Sequence, residues 1–134
     1  MATIQPESLG ITSSEDVVHV RQATRSMAVA LGFGLVEQTK LITAASELAR
    51  NALTHGGGGS VTLEPIQGPG RVGLRLTFED RGPGIPDVAE AMRDGFTTGN
   101  GLGLGLGGSR RLVNEFALET SLGQGTKVTV AMWR

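Results

Sequence analysis

The sequence predicts an α/β (α+β) two-layer sandwich, with helices covering one face of a mixed, mostly antiparallel sheet. Three observations carry this. Helical periodicity runs from about residue 13 to residue 54, apolar/polar alternation begins at Ser60, and glycine-marked turns separate the alternating runs. One helical segment returns late, between the two strand pairs.

Ser13 and Ser14 precede Glu15 and Asp16, the pattern of a helix N-terminus. From about Val17 to Leu31, the residues Val17, Val20, Thr24, Met27 and Leu31 recur at helical spacing, and Gly32-Phe33-Gly34 ends the run. A second helix is expected from about Val36 to Thr54, with Leu41, Ala45, Leu48, Ala49 and Ala52 on one stripe. Gly56 to Gly59 stop it. Ser60–Ile66 and Arg71–Phe78 alternate as strands, and Gln67-Gly68-Pro69-Gly70 turns them into a hairpin. Leu104–Glu115 reads as a third helix. Phe116–Leu122 and Thr126–Trp133 form a second strand pair turned at Gly123-Gln124-Gly125, and a first strand is expected near Thr3–Leu9. No repeat or linker divides residues 1–134, so a single domain is expected.

Composition narrows the function classes. A formal net charge of −1 gives no electrostatic reason for a nucleic-acid or anionic-membrane partner. The absence of cysteine excludes disulfides, thiolate catalysis and zinc–thiolate sites. No apolar run reaches membrane-span length and the N-terminus lacks a signal-peptide pattern, so a cytoplasmic protein is expected. Glycine stands out at 21 residues, clustered between the periodic segments, where bare backbone can approach a ligand closely.

Three segments carry candidate chemistry. On the second helix, Glu47, Asn51 and His55 fall near one face with Arg50 beside them. An Asn carbonyl oxygen suits Mg²⁺ that is also held by phosphates, and a carboxylate one turn away can orient or deprotonate a hydroxyl. The same spacing also serves a solvated face with an i,i+3 pair between Glu47 and Arg50. His55, at the helix end, reads as a cap.

Glu79-Asp80-Arg81-Gly82-Pro83-Gly84-Ile85 directly follows an alternating strand. Asp80 can accept a hydrogen bond from an exocyclic amine such as adenine N6, and Gly82 and Gly84 let the backbone approach a flat ring. A tight strand-to-helix turn is the other reading. The third segment is Gly99-Asn100-Gly101-Leu102-Gly103-Leu104-Gly105-Leu106-Gly107-Gly108, which leads into Ser109-Arg110-Arg111-Leu112 of the third helix. Its exposed N–H groups and the helix N-terminus suit phosphate, although the Gly-Lys-Ser/Thr ending of a P-loop is missing. The leucines anchor what would otherwise be a loose lid.

The order Glu47-x-x-x-Asn51, Asp80-x-Gly82-x-Gly84-Ile85, Gly101-x-Gly103-x-Gly105, then Gly123-x-Gly125-Thr126 resembles the GHKL ATPase superfamily. That group includes histidine kinases, Hsp90 chaperones, gyrase B and MutL. The resemblance spans Glu15 to Arg134. Within the superfamily, Gly32-Phe33-Gly34, the run Ser46–Asn51, Glu79–Asp87 and Asp94–Thr98 are similar to the small anti-sigma-factor serine/threonine kinases, in particular stressosome switch kinases.

The resemblance implies a GHKL (Bergerat-type) fold and the cofactors ATP and Mg²⁺. It makes Asn51 the Mg²⁺ ligand, Glu47 the catalytic base, and places Arg50 near the β- and γ-phosphates. It sets Asp80 on adenine N6, with Gly82, Gly84, Ile85 and Thr126 near the purine. Gly101, Leu102, Gly103, Leu104, Gly105, Leu106, Gly107 and Gly108 surround the phosphates. The implied substrate is a STAS-domain protein carrying the target hydroxyl, with release of the kinase to a PP2C-type phosphatase or another effector. The alternative is a binding protein that sequesters a sigma factor or STAS partner, with ATP as a structural ligand.

Overall fold

The structure, a computed structural model, describes residues 4–82, 84 and 105–134. In chain order come β1 (Glu7–Ile11), α1 (Ser14–Ala30), α2 (Leu35–Thr54), β2 (Gly59–Gly68) and β3 (Arg71–Asp80). Then follow α3 (Gly105–Leu112), β4 (Glu115–Ser121) and β5 (Gly125–Trp133). The strands form one sheet in the order β1-β2-β3-β5-β4, and every described pairing is antiparallel. The expected sandwich is present, without a parallel pair among the described residues.

Asp16, in the first turn of α1, fixes where that helix begins. Its Oδ2 accepts the backbone N–H groups of Thr12 at 2.8 Å and Ser13 at 3.2 Å, and the Thr12 hydroxyl at 3.1 Å. These bonds satisfy donors that a helix start leaves open. They hold the Asp16 carboxyl below the usual range, the Thr12 N–H contributing most. Val17, Val20, Met27 and Ala28 face inward, and buried Thr24 gives its proton to the Val20 carbonyl at 2.7 Å. Gly32, at φ +83°, then turns the chain into α2.

α2 buries Leu41, Ala44, Ala45, Leu48, Ala49 and Ala52. Alanines on this stripe let the helix axis lie close to the sheet, and α2 touches β1, β2, β3 and β5. Register explains why one sheet face takes it. Leu9, Val61, Phe78, Val128 and Leu118 form one cross-strand row, and Leu63, Leu76, Val130 and Phe116 the next. Thr62, Thr77 and Thr129 point the other way, as a period of two requires. Leu63, Leu74 and Leu76 are fully buried, each contributing about 1.5–3 kcal/mol through apolar burial.

Element boundaries moved for local reasons. The first strand lies at Glu7–Ile11, later than expected, because it must pair with Gly59–Leu63. β1 begins opposite Leu63, so β2 is an edge strand beyond that residue and tolerates the missing N–H of Pro65. The hairpin continues to the pair Gly68–Arg71, leaving Pro69-Gly70 as the turn with Gly70 at φ +70°. α3 stops at Leu112 rather than near Glu115 because β5 captures Asn114. The Asn114 N–H donates to the Ala131 carbonyl at 3.0 Å, and its side-chain oxygen accepts the Trp133 N–H at 2.7 Å.

The depressed carboxyl of Asp16 makes a pH-dependent contribution to stability. A lowered folded pKa stabilises above the unfolded Asp value, about 3.9, and that stabilisation is lost as pH falls through the folded value. Asp16→Asn should therefore be less stable than wild type at neutral pH, and the urea unfolding curves of the two proteins should converge under acid. A gap of constant size down to the lowest pH would contradict this assignment.

Candidate nucleotide site at the end of β3

The apolar rows of the sheet stop at Phe78 and Val128, and the next row on the same face is polar. In it, Asp80 pairs in register with Gly59 on one side and Thr126 on the other, and Thr126 pairs with Thr120. This change from buried hydrocarbon to carboxylate and hydroxyl occurs at the end of the sheet where α2 also terminates. His55 is the C-cap of α2, as expected, its N–H reaching the Asn51 carbonyl at 2.9 Å.

Asp80 sits in a seat made of bare backbone. Its Oδ1 accepts the Gly82 N–H at 2.9 Å. A Cβ on Gly56 would collide with the Asp80 carboxyl group, and one on Gly82 would stand 2.6 Å from the Gly56 Cα. On the neighbouring strands, a Cβ on Gly59 would strike the Glu79 carbonyl and one on Gly125 the Asp80 carbonyl. Gly125 is also at φ +109°, a backbone region that disfavours side chains. A cleft of about 780 Å³ opens here, with Gly56–Ser60, Asp80, Thr120, Gly125 and Thr126 among its walls. That size falls in the usual range for a small-molecule site.

The second group of candidate residues lies on the flank of α2. Glu47 is 2% exposed and accepts a charge-assisted hydrogen bond from Arg50 Nη1 at 3.1 Å. Arg50 is partly exposed, and Asn51 is half-buried. Asn51 has no side-chain hydrogen-bond partner among the described residues, so its amide oxygen is available. Glu47, Arg50 and Asn51 are not among the described walls of the Asp80 cleft. The last turn of α2 links the two groups: Asn51 and Gly56 are five residues apart, about 7 Å along a helix axis.

α3 packs against α2. Gly105, Leu106, Gly107 and Gly108 form its first turn, with Leu106 in the core and Ser109 fully buried. Backbone N–H groups at a helix N-terminus suit an anion. Gly84 is at φ +81° beside the Ser121 carbonyl. Ile85, Gly101, Leu102, Gly103 and Leu104 lie outside the described residues. Sequence reasoning missed Gly56, Gly59 and Thr120. The glycine run was legible as a helix stop and as bare backbone able to approach a ligand, but not as the seat of Asp80, and Thr120 gave no signal beyond strand alternation.

The profile of the histidine kinase-, DNA gyrase B- and HSP90-like ATPases (HATPase_c) matches residues 36–134, which takes in both groups. This chain belongs to that ATPase family. It is 45% identical over 123 residues to the serine/threonine-protein kinase RsbT of Bacillus subtilis (strain 168), covering 92% of each chain. It is 32% identical to an anti-sigma F factor of Geobacillus kaustophilus (strain HTA426), covering 86% of this chain and 82% of that one. Among solved structures, the RsbU and RsbW domains of Rv1364c from Mycobacterium tuberculosis superpose with TM-score 0.68 at 23% identity. That match covers 99% of this chain and 34% of the other, and it shows a shared fold.

The seat around Asp80 in this ATPase domain predicts a contrast between two glycines. Gly123 (φ +77°) has open space where a Cβ would go, whereas Gly125 has the Asp80 carbonyl there. Gly123→Ala should cost about 1–2 kcal/mol for the left-handed backbone alone. Gly125→Ala should cost about 1–3 kcal/mol more, because the strands must separate. Urea denaturation of both variants measures the difference, and equal losses would mean that β3 and β5 do not approach as closely as the structure places them.

Proposed function

We propose that this ATPase-family chain is a Mg²⁺·ATP-dependent protein-serine/threonine kinase that phosphorylates a partner protein. The observation that carries the reading is the buried carboxylate of Glu47, one turn before Asn51. Removing a carboxylate from water is costly, and neither the apolar core nor recognition of a base needs one there. Near-full-length similarity to a protein named a serine/threonine kinase supports the same reading.

The residues present fit the substrate and its metal. The glycine seat leaves room for a flat ring beside Asp80, which accepts the adenine amine, with Gly82, Gly84, Ile85 and Thr126 around the purine. The backbone from Gly101 to Gly108 takes the phosphates. No group of three or more His, Cys, Asp or Glu forms a metal cage among the described residues. A single amide oxygen from Asn51 is nevertheless suitable, since Mg²⁺ commonly uses one or two protein ligands with phosphates and water. When bound, Mg²⁺ offsets charge on the transferring phosphoryl group.

Glu47 takes the proton of the partner's attacking hydroxyl, and Arg50 supplies positive charge to phosphoryl oxygens. Because the two side chains already pair at 3.1 Å, the guanidinium that serves the phosphate also holds the base in place. The substrate is a STAS-domain protein and the later partner a PP2C-type phosphatase or another effector, in a cytoplasmic partner-switching pathway. Support for those identities is the family resemblance. Among the described residues, no helix is long and apolar enough to cross a membrane.

A second reading has its own observation. The Glu47–Arg50 pair is also what a purely structural carboxylate would show, which suits a protein that sequesters its partner with ATP as a structural ligand. Glu47→Gln separates the two, because it keeps the shape and removes the charge. The kinase reading expects ATP and partner binding within about threefold of wild type and transfer to Ser or Thr reduced by about 10²–10⁴. The measurement is phosphate transfer from labelled ATP to the purified partner, alongside binding isotherms. A wild-type protein that binds its partner and transfers nothing would replace the kinase reading with sequestration.

A further inference from the structure

The two edges of the sheet are closed differently. On one side β1 is five residues long, and the part of β2 beyond it carries Pro65, which has no N–H to offer a further strand. On the other side β4 (EFALETS) runs for seven residues beside β5, one to one from Glu115↔Ala131 to Ser121↔Gly125. It contains no proline, glycine or lysine, and among the described residues it pairs with β5 alone. A regular edge of this kind is a template for another strand. Phe116 and Leu118 stand half-buried at the margin of the core, and Glu115, Ala117 and Glu119 are exposed on the opposite face.

We propose that β4 is a self-association edge, which joins antiparallel to β4 of a second copy about a two-fold axis at Leu118. An antiparallel two-fold pairing keeps the helices of both copies on one side of the joined sheet. Inward residues must then meet inward residues, so the possible registers differ by steps of two. Charge selects among them. With Leu118 opposite Leu118 of the second copy, Ala117 faces Glu119, Glu119 faces Ala117, and no two carboxylates oppose each other. A shift of two residues one way sets Glu115 against Glu119, and a shift the other way sets Glu119 against Glu119. Like charges directly opposite destabilise a strand pair, so the carboxylates act as keys for one register. That register also carries the apolar row of Leu9, Val61, Phe78, Val128 and Leu118 across the junction into the same row of the second copy. Glu119 and Ser121 line the Asp80 cleft, so the clefts of the two copies lie at opposite ends of the joined strands.

The test is sedimentation equilibrium of the full chain, with Ala117 changed in both directions. Wild type should dimerise reversibly as its concentration rises. Ala117→Glu sets two new carboxylate pairs face to face across the axis and should weaken the dimer about three- to tenfold. Ala117→Lys sets an ammonium opposite each Glu119 and should strengthen it by a similar factor, about three- to tenfold. Ala117 is exposed, so both variants should fold, and thermal unfolding verifies this. The chain has no cysteine, so introduced thiols report the register. An oxidised mixture of Ala117→Cys and Glu119→Cys chains should form a disulfide-linked dimer, and each variant alone should form far less. Three results would each overturn the inference: a wild-type chain that stays monomeric at every concentration, Glu and Lys variants that shift association the same way or not at all, or a single cysteine variant that cross-links as readily as the mixture.

Discussion

The Asp80 side chain occupies space that a Cβ at Gly56 would take, while its main-chain carbonyl occupies the space of one at Gly125. These two exclusions, at the side chain and the carbonyl of one residue, limit how the end of α2 and the start of β5 approach β3. Gly82 closes the seat from within its own turn by giving its N–H to the carboxylate. The carboxylate is thus aimed by backbone, which has few ways to relax, rather than by long side chains. A binding group aimed this way is organised before ligand arrives, and preorganisation reduces the entropy lost on binding.

The rest of the fold supplies the frame for that seat. Fully buried Leu63, Leu74 and Leu76 tie β2 and β3 under α2, whose alanine stripe allows close approach across four strands. That same helix carries Glu47, Arg50 and Asn51 on its flank and ends at His55 beside Gly56. One rigid element therefore spans the distance between the Asp80 end of the site and the polar group proposed for phosphate chemistry.

Much of this was legible in the sequence, for identifiable reasons. Alternation at Leu74, Leu76 and Phe78 and helical spacing at Leu41, Ala45, Leu48 and Ala52 each report a buried face, and both faces are buried. The four ordered motifs were sufficient to name the family. Boundaries were harder, because they depend on distant partners: α3 ends where β5 captures Asn114, and β1 lies where β2 pairs with it. The contacts of Gly56 and Gly59 were illegible because a run of four glycines says that space is needed without saying for what. Thr120 was invisible because its contact with Thr126 is made across strands, which no spacing rule encodes.

The central claim, that bare backbone at Gly56 seats the Asp80 carboxylate for nucleotide, is tested most directly by the ATP affinity of Gly56→Ala. Gly56 is not among the residues with positive φ, so alanine is compatible with the backbone and the perturbation is one methyl group against the carboxylate. Affinity measured by calorimetry should fall at least about tenfold, the loss of a hydrogen bond to a charged group, in a protein whose thermal unfolding remains cooperative. Wild-type affinity in a folded Gly56→Ala protein would contradict the account, because Asp80 would then not need the seat the structure gives it.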